Sequence, residues 1–535
     1  MTLGQTEHDV IVIGGGSNGL VTAAYLARAG LDVLVLERRH LVGGAAATEE
    51  LFPGFHISTC SYLIHLLQDR VVKDLDLYRH GLRVLPIDPF RFFPLPDGRY
   101  LHQWQDESRT CGEYETFGAG DGAGYRRWLH FWTKAATLIH RYFLTEPPTI
   151  EELRADVRGT GEEALVERLL SGTMTALLDE YFVSDEAKAS VVQTLDVKEF
   201  DRPGVLLGYA TARTPHWMDP SGQGLAVGGM GALSLSVARA AEGFGAKIRV
   251  GADVVRILCD DRRAYGVVLA DGQELRSRMV VSNADPKRTF LQLLPADHRT
   301  PTIRSEMERL DTDCGTMKLH TAVDELPDFS RHLGAGFDPR SLVMIRICPS
   351  TTYYRKSVED AMAGKVSAAP IFDIQIPTVY DASIAPQGKH IVSMWIRYEP
   401  VHPKGSTWDE LRQGEGERLI DLFTEYAPNF RKSVTDWLLL TPVDIERRLN
   451  ITDGNYHHTN HAPGQLLGNR LFSRGGYRTP IAGLYMCGAG THPGGEVSGA
   501  PGHNAAQAIL VDVQSAKTEA GSRAPSARTK PSSRP

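Results

Sequence analysis

The sequence predicts an α/β protein: a nucleotide-binding domain built on a largely parallel sheet, with an α+β domain inserted into it. Three stretches carry that reading. "DVIVIGGGSNGLVTAAYLARAGLDVLVLE" covers residues 9–37, "GGMGALS" through "VVSNAD" covers 228–285, and "GLYMCGAGTHPGGEVSGAPGHNAAQAIL" covers 483–510. Each sets short apolar runs beside glycine-rich turns and 3.6-period segments, as strands and helices do when they alternate around a buried sheet.

"DVIVI" is a short apolar run, suited to a strand buried on both faces. Gly14, Gly16 and Gly19 follow in G-x-G-x-x-G spacing. The first glycine makes a tight turn, the second lets backbone approach a pyrophosphate, and the third lets helix and strand pack closely. Leu20, Ala23, Ala24 and Ala27 then fall on one helical face, and Gly30 suits the helix end. "DVLVL" is the next strand, with Glu37 at its end. That carboxylate can accept hydrogen bonds from ribose hydroxyls and would repel a 2′-phosphate, which disfavours NADP. Flanking strands, helix and acid together make this a Rossmann-like dinucleotide cradle. Gly43 and Gly44 come where a simple NAD fold would enter its next helix. Paired glycines there predict a loop lying along a long, extended cofactor.

The middle block reads as a helix, a short strand, and a strand–turn–strand unit with turns at "DDRR" and "ADGQ". "MVVSNAD" is a last strand running into a polar end. In the third block "LYMC" is a strand. Gly488, Gly490, Gly494, Gly495 and Gly499 follow, and a helix starts near Pro501. A helix N-terminus there suits the negative charge that a reduced flavin gathers along its N1/C2 edge. The nucleotide domain is thus expected from residues 1–60, 221–300 and 441–515. The second domain is expected from 61–220 and 301–440, which hold most of the aromatic residues. Residues 516–535, rich in Ser, Pro and Arg, are expected to be a disordered tail.

Composition narrows the function. A formal charge of −7 and a pI near 6.3 give no basic surface for nucleic acid. Cys60, Cys111, Cys259, Cys314, Cys348 and Cys487 form no CxxC pair, which excludes a thiol–disulfide centre or cysteine-bound zinc of that spacing. "MTLGQTEHDV" has no secretory or transit pattern, and no apolar run reaches membrane-spanning length. The expectation is a cytoplasmic protein, with peripheral membrane contact left open.

Over nearly its whole length the chain resembles the phytoene desaturase-like branch of FAD-dependent oxidoreductases, which shares the monoamine-oxidase type of FAD domain. The first and third blocks carry the likeness. "VGGMGALS", "VVLADGQELRSRMVVSNADPKRTFL", "YAPNF" and "DGNYHH" follow the family order. The resemblance implies non-covalent FAD. It places Gly14, Gly16, Ser17, Asn18 and Gly19 at the pyrophosphate and Glu37 at the adenosine ribose. Arg38, Gly43, Gly44 and Ala45 should lie along the cofactor, Val254 at the adenine, and Gly488, Gly490, Val497 and Ser498 near ribityl and flavin. Two departures concern the more distant relatives: Ala45 stands where monoamine oxidases often have Arg, and Ala489 where many flavoproteins have Asp.

A flavin accepts hydride without a protein nucleophile, so the protein must supply orientation and exclude water. The family order sets His458 and Asn455 beside the flavin, His458 as a catalytic candidate and Asn455 on the substrate. His492, in the glycine turn, is the second catalytic candidate. His65, in the helix-like "SYLIHLL", is a candidate for the substrate wall. His457, His458 and His461 cluster in "YHHTNH", but their spacing is not that of metal ligands and no acid is near in sequence, so no metal is expected. His503, and aromatics such as Trp217, are as well explained by ordinary packing. Three functions follow. One is an FAD-dependent dehydrogenase or oxidase acting on a small or lipophilic molecule and reoxidised by oxygen or a quinone. Another is a carotenoid desaturase or ketolase. The third is a flavin-bound regulator without turnover. The sequence carries no signal of oligomeric state.

Overall fold

Within the strand Glu7–Ile13, Val10 and Val12 enter one apolar core while Ile11 and Ile13 enter another on the opposite face. Side chains alternate along a strand, so an unbroken apolar run requires cover on both sides. A computed structural model describes residues 7–199, 201–214, 224–472 and 474–522. In it this strand is central. It pairs in parallel with Glu274–Ser282 on one side and Val33–Leu36 on the other, and Lys247–Arg249 extends the sheet beyond the latter. Leu484–Met486 joins in parallel beside the end of Glu274–Ser282, and Val254–Cys259 and Ala264–Leu269 continue the sheet antiparallel. All three segments singled out in the sequence therefore share one sheet.

The helix Ser17–Arg28 covers one face, packed against helix Met230–Gly243 and the closing helix Ala500–Ser522. Its contact with the closing helix is close: Thr22 donates its hydroxyl to the Gly502 carbonyl at 3.1 Å. Leu20 and Leu26 are fully buried in this layer, each worth about 2 kcal/mol relative to exposure. The closing helix runs to Ser522, so residues 516–522 of the expected tail are helical. Ala516, Lys517 and Ala520 are good helix formers, and extending an existing helix costs far less than nucleating one. Residues 523–535 lie outside the described residues.

The second sheet is mixed. Its order is Val434–Leu440, Met317–Val323, His390–Arg397, Ile371–Gln375, Met344–Ile347, Arg91–Pro94 and Tyr100–Gln103. Only the Met344–Ile347 and Arg91–Pro94 pair is parallel. One face is an apolar core holding Phe92, Ile345, Phe372, Met394 and Ile396 against helix Trp408–Thr424. Alternation sends Arg91, Arg346, Asp373, Trp395 and Arg397 to the other face. A helical layer adjoins, built around Asp121–His140, whose Trp128 and Trp132 are buried among Tyr114, Tyr125 and Phe182. These aromatics are core, as expected; Trp217 lies outside the described residues. All six cysteines are unpaired. No described helix is long and apolar enough to cross a membrane.

Candidate functional site

One cavity runs between the two sheets. Its wall includes Gly14, Gly16, Ser17 and Asn18 from the first glycine turn, Glu37 and Arg38 after the second strand, and Gly43, Gly44 and Ala45 from the paired-glycine loop. Val254 lines it, as do Ala489, Gly495, Glu496 and Val497 from the C-terminal block. The turn is built for close approach. Gly14 has φ +93°, in the left-handed region. A Cβ on Gly16 would sit 2.7 Å from the Asn283 amide nitrogen. One on Gly19 would run into the Gly14 carbonyl oxygen, so the third glycine serves helix–strand packing and stands off the wall. Gly43 N–H donates to Gly15 O at 2.8 Å, locking the two loops side by side.

Glu37 is 7% exposed and braces this end. Its two carboxylate oxygens accept from Gly15 N–H and Arg39 N–H, both at 2.8 Å. Each oxygen keeps a second acceptor site for a ribose hydroxyl. The Asn18 amide oxygen is buried on the wall with no partner among the described residues. A cradle without side chains at a helix N-terminus, a carboxylate beyond it and an orphaned amide oxygen together fit an extended dinucleotide.

The far end is dominated by histidines. His457, fully buried, holds Asp196 through Nδ1 at 2.8 Å and Glu496 through Nε2 at 3.0 Å. Burial pulls its pKa down, but Asp196 and then Glu496 outweigh that and raise it to about 9. Burial works against the Glu496 carboxylate too, yet His457 brings it to about 2. Glu496 lines the cavity, and its other oxygen lies 3.5 Å from Nε2 of His65, also on the wall. His65 is lowered by its burial, with Glu496 opposing. It sits at a bend rather than in the expected helix, just after Ile64 bridges to Gly224.

His458 also lines the cavity, at φ +65°, and burial lowers it to about 4, so it is neutral at pH 7. A Cβ on Gly488 would lie 2.9 Å from Asn283 O and 3.0 Å from the His458 ring; one on Gly490 would meet Pro286 at 2.6 Å. Both glycines, and Ser498, stand behind the wall. Two expectations need correction. His492 is not at the reacting end: it is buried behind the glycine loop, and its Nε2–H donates to Tyr142 O at 2.9 Å. Asn455 does not reach substrate space. It spends its amide on Thr312 O, Asn460 Oδ1 and His457 N–H, fixing the histidine loop. His503 packs edge-on against Tyr25 inside the helical layer.

The acid missing from the histidine cluster in sequence arrives from Asp196, which also takes His461 N–H. Asp196, His457 and His461 form the one group among the described residues with metal-ligand potential. At 2.8 Å the carboxylate and Nδ1 of His457 are already hydrogen-bonded, and the group is satisfied from within. Sequence reasoning also missed Asn283, Asp285 and Arg288, which line the cavity where "VVSNADPKR" leaves the sheet. It missed Arg470 as well. That fully buried guanidinium donates to carbonyls of His457, Thr459, Gln465, Ala489 and Thr491, tying the histidine loop to the C-terminal glycine loop.

The family described as the NAD(P)-binding Rossmann-like domain matches residues 12–77. Over 95% of its length the chain is 33% identical to pyridine nucleotide-disulfide oxidoreductase domain-containing protein 2 of Rattus norvegicus, 94% of which is covered. It is 27% identical over 94% of its length to a subunit of limonene dehydrogenase from Castellaniella defragrans, covering 95% of that protein. It is 25% identical over 95% of its length to the neurosporene-forming phytoene desaturase of Cereibacter sphaeroides, covering 96%. Among solved structures, wild-type putrescine oxidase bound to putrescine shares the fold, with a TM-score of 0.60 at 13% identity, covering 95% of this chain and 99% of that one.

Proposed function

The chain belongs to the phytoene desaturase-like family of flavin oxidoreductases that includes pyridine nucleotide-disulfide oxidoreductase domain-containing protein 2, and from that premise we propose that it is an FAD-dependent oxidoreductase removing a hydride from a C–H bond of a small or lipophilic substrate. The observation that carries this reading is the single cavity shared by the Gly14–Asn18 turn and the Gly495–Val497 loop. An adenine near Val254, phosphates at Gly14 and Gly16, and a flavin near Ala489 and Val497 would use its length.

When bound, FAD supplies the hydride acceptor at flavin N5. The chain supplies the rest. Tyr62, Trp395 and Tyr456 line the far end, where their rings exclude water. Glu496, held near pKa 2, is too weak a base to take a proton at pH 7; it faces His65 and orients it. His65 is the proton acceptor on the wall for a substrate that loses an O–H or N–H proton together with the hydride. Disulfide chemistry is not supported. Cys60 is the lone cysteine on the described wall, and burial raises its thiol to about 11. A polyene tunnel is not supported either, since Arg91, Arg213, Arg397 and Glu496 all reach the wall.

The test is anaerobic flavin reduction against alcohols, amines, acids and polyenes, followed by reoxidation with oxygen or a soluble quinone. A bleaching substrate supports the reading. Protein that stays colourless after incubation with FAD contradicts it. In His65→Gln, flavin reduction by that substrate should slow by about a hundredfold with FAD content unchanged; an unchanged rate removes His65 from this role.

A further inference from the structure

Four neighbouring strands of the second sheet each give one charged residue to its polar face: Arg91, Arg346, Asp373 and Arg397. Three guanidinium groups thus share one carboxylate. Arg346 takes the hydrogen bonds to it, although its own Nε has no partner among the described residues. Its Nη1 lies 3.2 and 3.4 Å from the two Asp373 oxygens, and its Nη2 donates to Val192 O at 2.7 Å. Arg397 does not. It is 8% exposed, its Nε stands 3.9 Å from Asp373, and that nitrogen has no acceptor among the described residues. Arg91 lies over the Phe90 ring and donates no side-chain hydrogen bond among the described residues.

The division follows the cavity. Arg91 and Arg397 line it; the hydrogen-bonded pair, Arg346 and Asp373, lies behind. A guanidinium cannot escape its cost of burial by losing a proton. A buried cation without a partner is unfavourable, and a ligand that brings the counter-charge removes the penalty. Of the carboxylates on the wall, Glu37 and Asp285 already accept hydrogen bonds from the chain, Asp253 stands beside Val254, and Glu496 has its counter-charge in His457. Beside Arg91 and Arg397 the cavity therefore lacks an anion, not a cation. Around the arginines the wall is aromatic, with Tyr62, Tyr209 and Trp395.

We propose that the substrate carries an anionic oxyacid head, a carboxylate or a phosphate ester, held by the forked guanidinium groups of Arg91 and Arg397, with an apolar body against Tyr62, Tyr209 and Trp395. The assignment rests on the oxidoreductase reading above and names the substrate class of the same cavity.

Calorimetric titration with hexanoate, hexyl phosphate, hexanol and hexylamine tests it, on protein with and without added FAD. One of the two anions should bind at least about tenfold more tightly than hexanol, and its affinity should fall as salt is raised. The preferred anion identifies the head group as carboxylate or phosphate. Arg91→Gln and Arg397→Gln should each weaken the anion by about tenfold while hexanol is unchanged. Equal binding of hexanol and both anions by the unaltered protein, or a preference for hexylamine, overturns the proposal and needs no variant. Undiminished anion binding by the folded variants overturns it as well. FAD content is read by absorbance in the same samples. Protein that takes up no FAD refutes the flavin reading, while the ranking of the four probes still decides the arginine site.

Discussion

At the scale of single residues, His457 is set by two carboxylates that no local pattern could reveal. "YHHTNH" advertised the histidines, but Asp196 lies 261 positions away and Glu496 belongs to the glycine loop. Their effect has a sign. The folded pKa of about 9 stands above the ordinary 6.5, so the stabilisation from the charged ring is full below pH 6.5 and is lost as pH rises through 9. Replacing His457 with Gln should cost on the order of 3 kcal/mol at pH 6, and the cost should shrink towards pH 10. Thermal unfolding of both proteins across that range checks it, and a gap that does not change with pH contradicts it. Lys318 carries the opposite sign. Burial lowers it to about 7, between the rings of Tyr62 and Trp395, with Nζ on Ser393 Oγ at 2.8 Å. Its penalty is absent above pH 10.5 and full below pH 7. Lys318→Met should therefore stabilise the protein by about 1–4 kcal/mol at pH 6 and by less at pH 10. Chemical denaturation at both pH values reads it, and a destabilised variant at pH 6 refutes the sign.

Elements were legible where one local rule governed them. The parallel strands appeared as apolar runs because both faces are buried, and the opening helix as a 3.6-period face. Gly19 carries the contact between them, so Gly19→Ala must push the helix off its strand. A loss of about 2 kcal/mol, with weakened FAD binding, is expected from denaturant titration and flavin fluorescence. Retention of both would show the turn to be less tightly packed. The second sheet was harder to read. "MIRI", "IFDIQ" and "VSMWIR" do alternate, but their charges sit in strands buried on both faces, where a polar residue is not expected without knowing what it faces. "SYLIHLL" misled for a related reason: the long-range bridge from Ile64 to Gly224 overrides its local pattern.

At the scale of the molecule, three remote segments converge because their strands add to one sheet and Arg470 binds the histidine loop to the C-terminal glycine loop. The two glycine clusters were visible in the sequence. The clasp was not, since an arginine that satisfies only backbone carbonyls leaves no motif. The central claim is that both clusters hold one FAD. Titration of the purified, flavin-stripped protein with FAD, followed by quenching of flavin fluorescence, tests it most directly. The account predicts saturation at one FAD per chain, with no comparable binding of FMN, which lacks the adenosine that Glu37 and Val254 would hold. Failure to bind FAD, or equal binding of FMN, would contradict it.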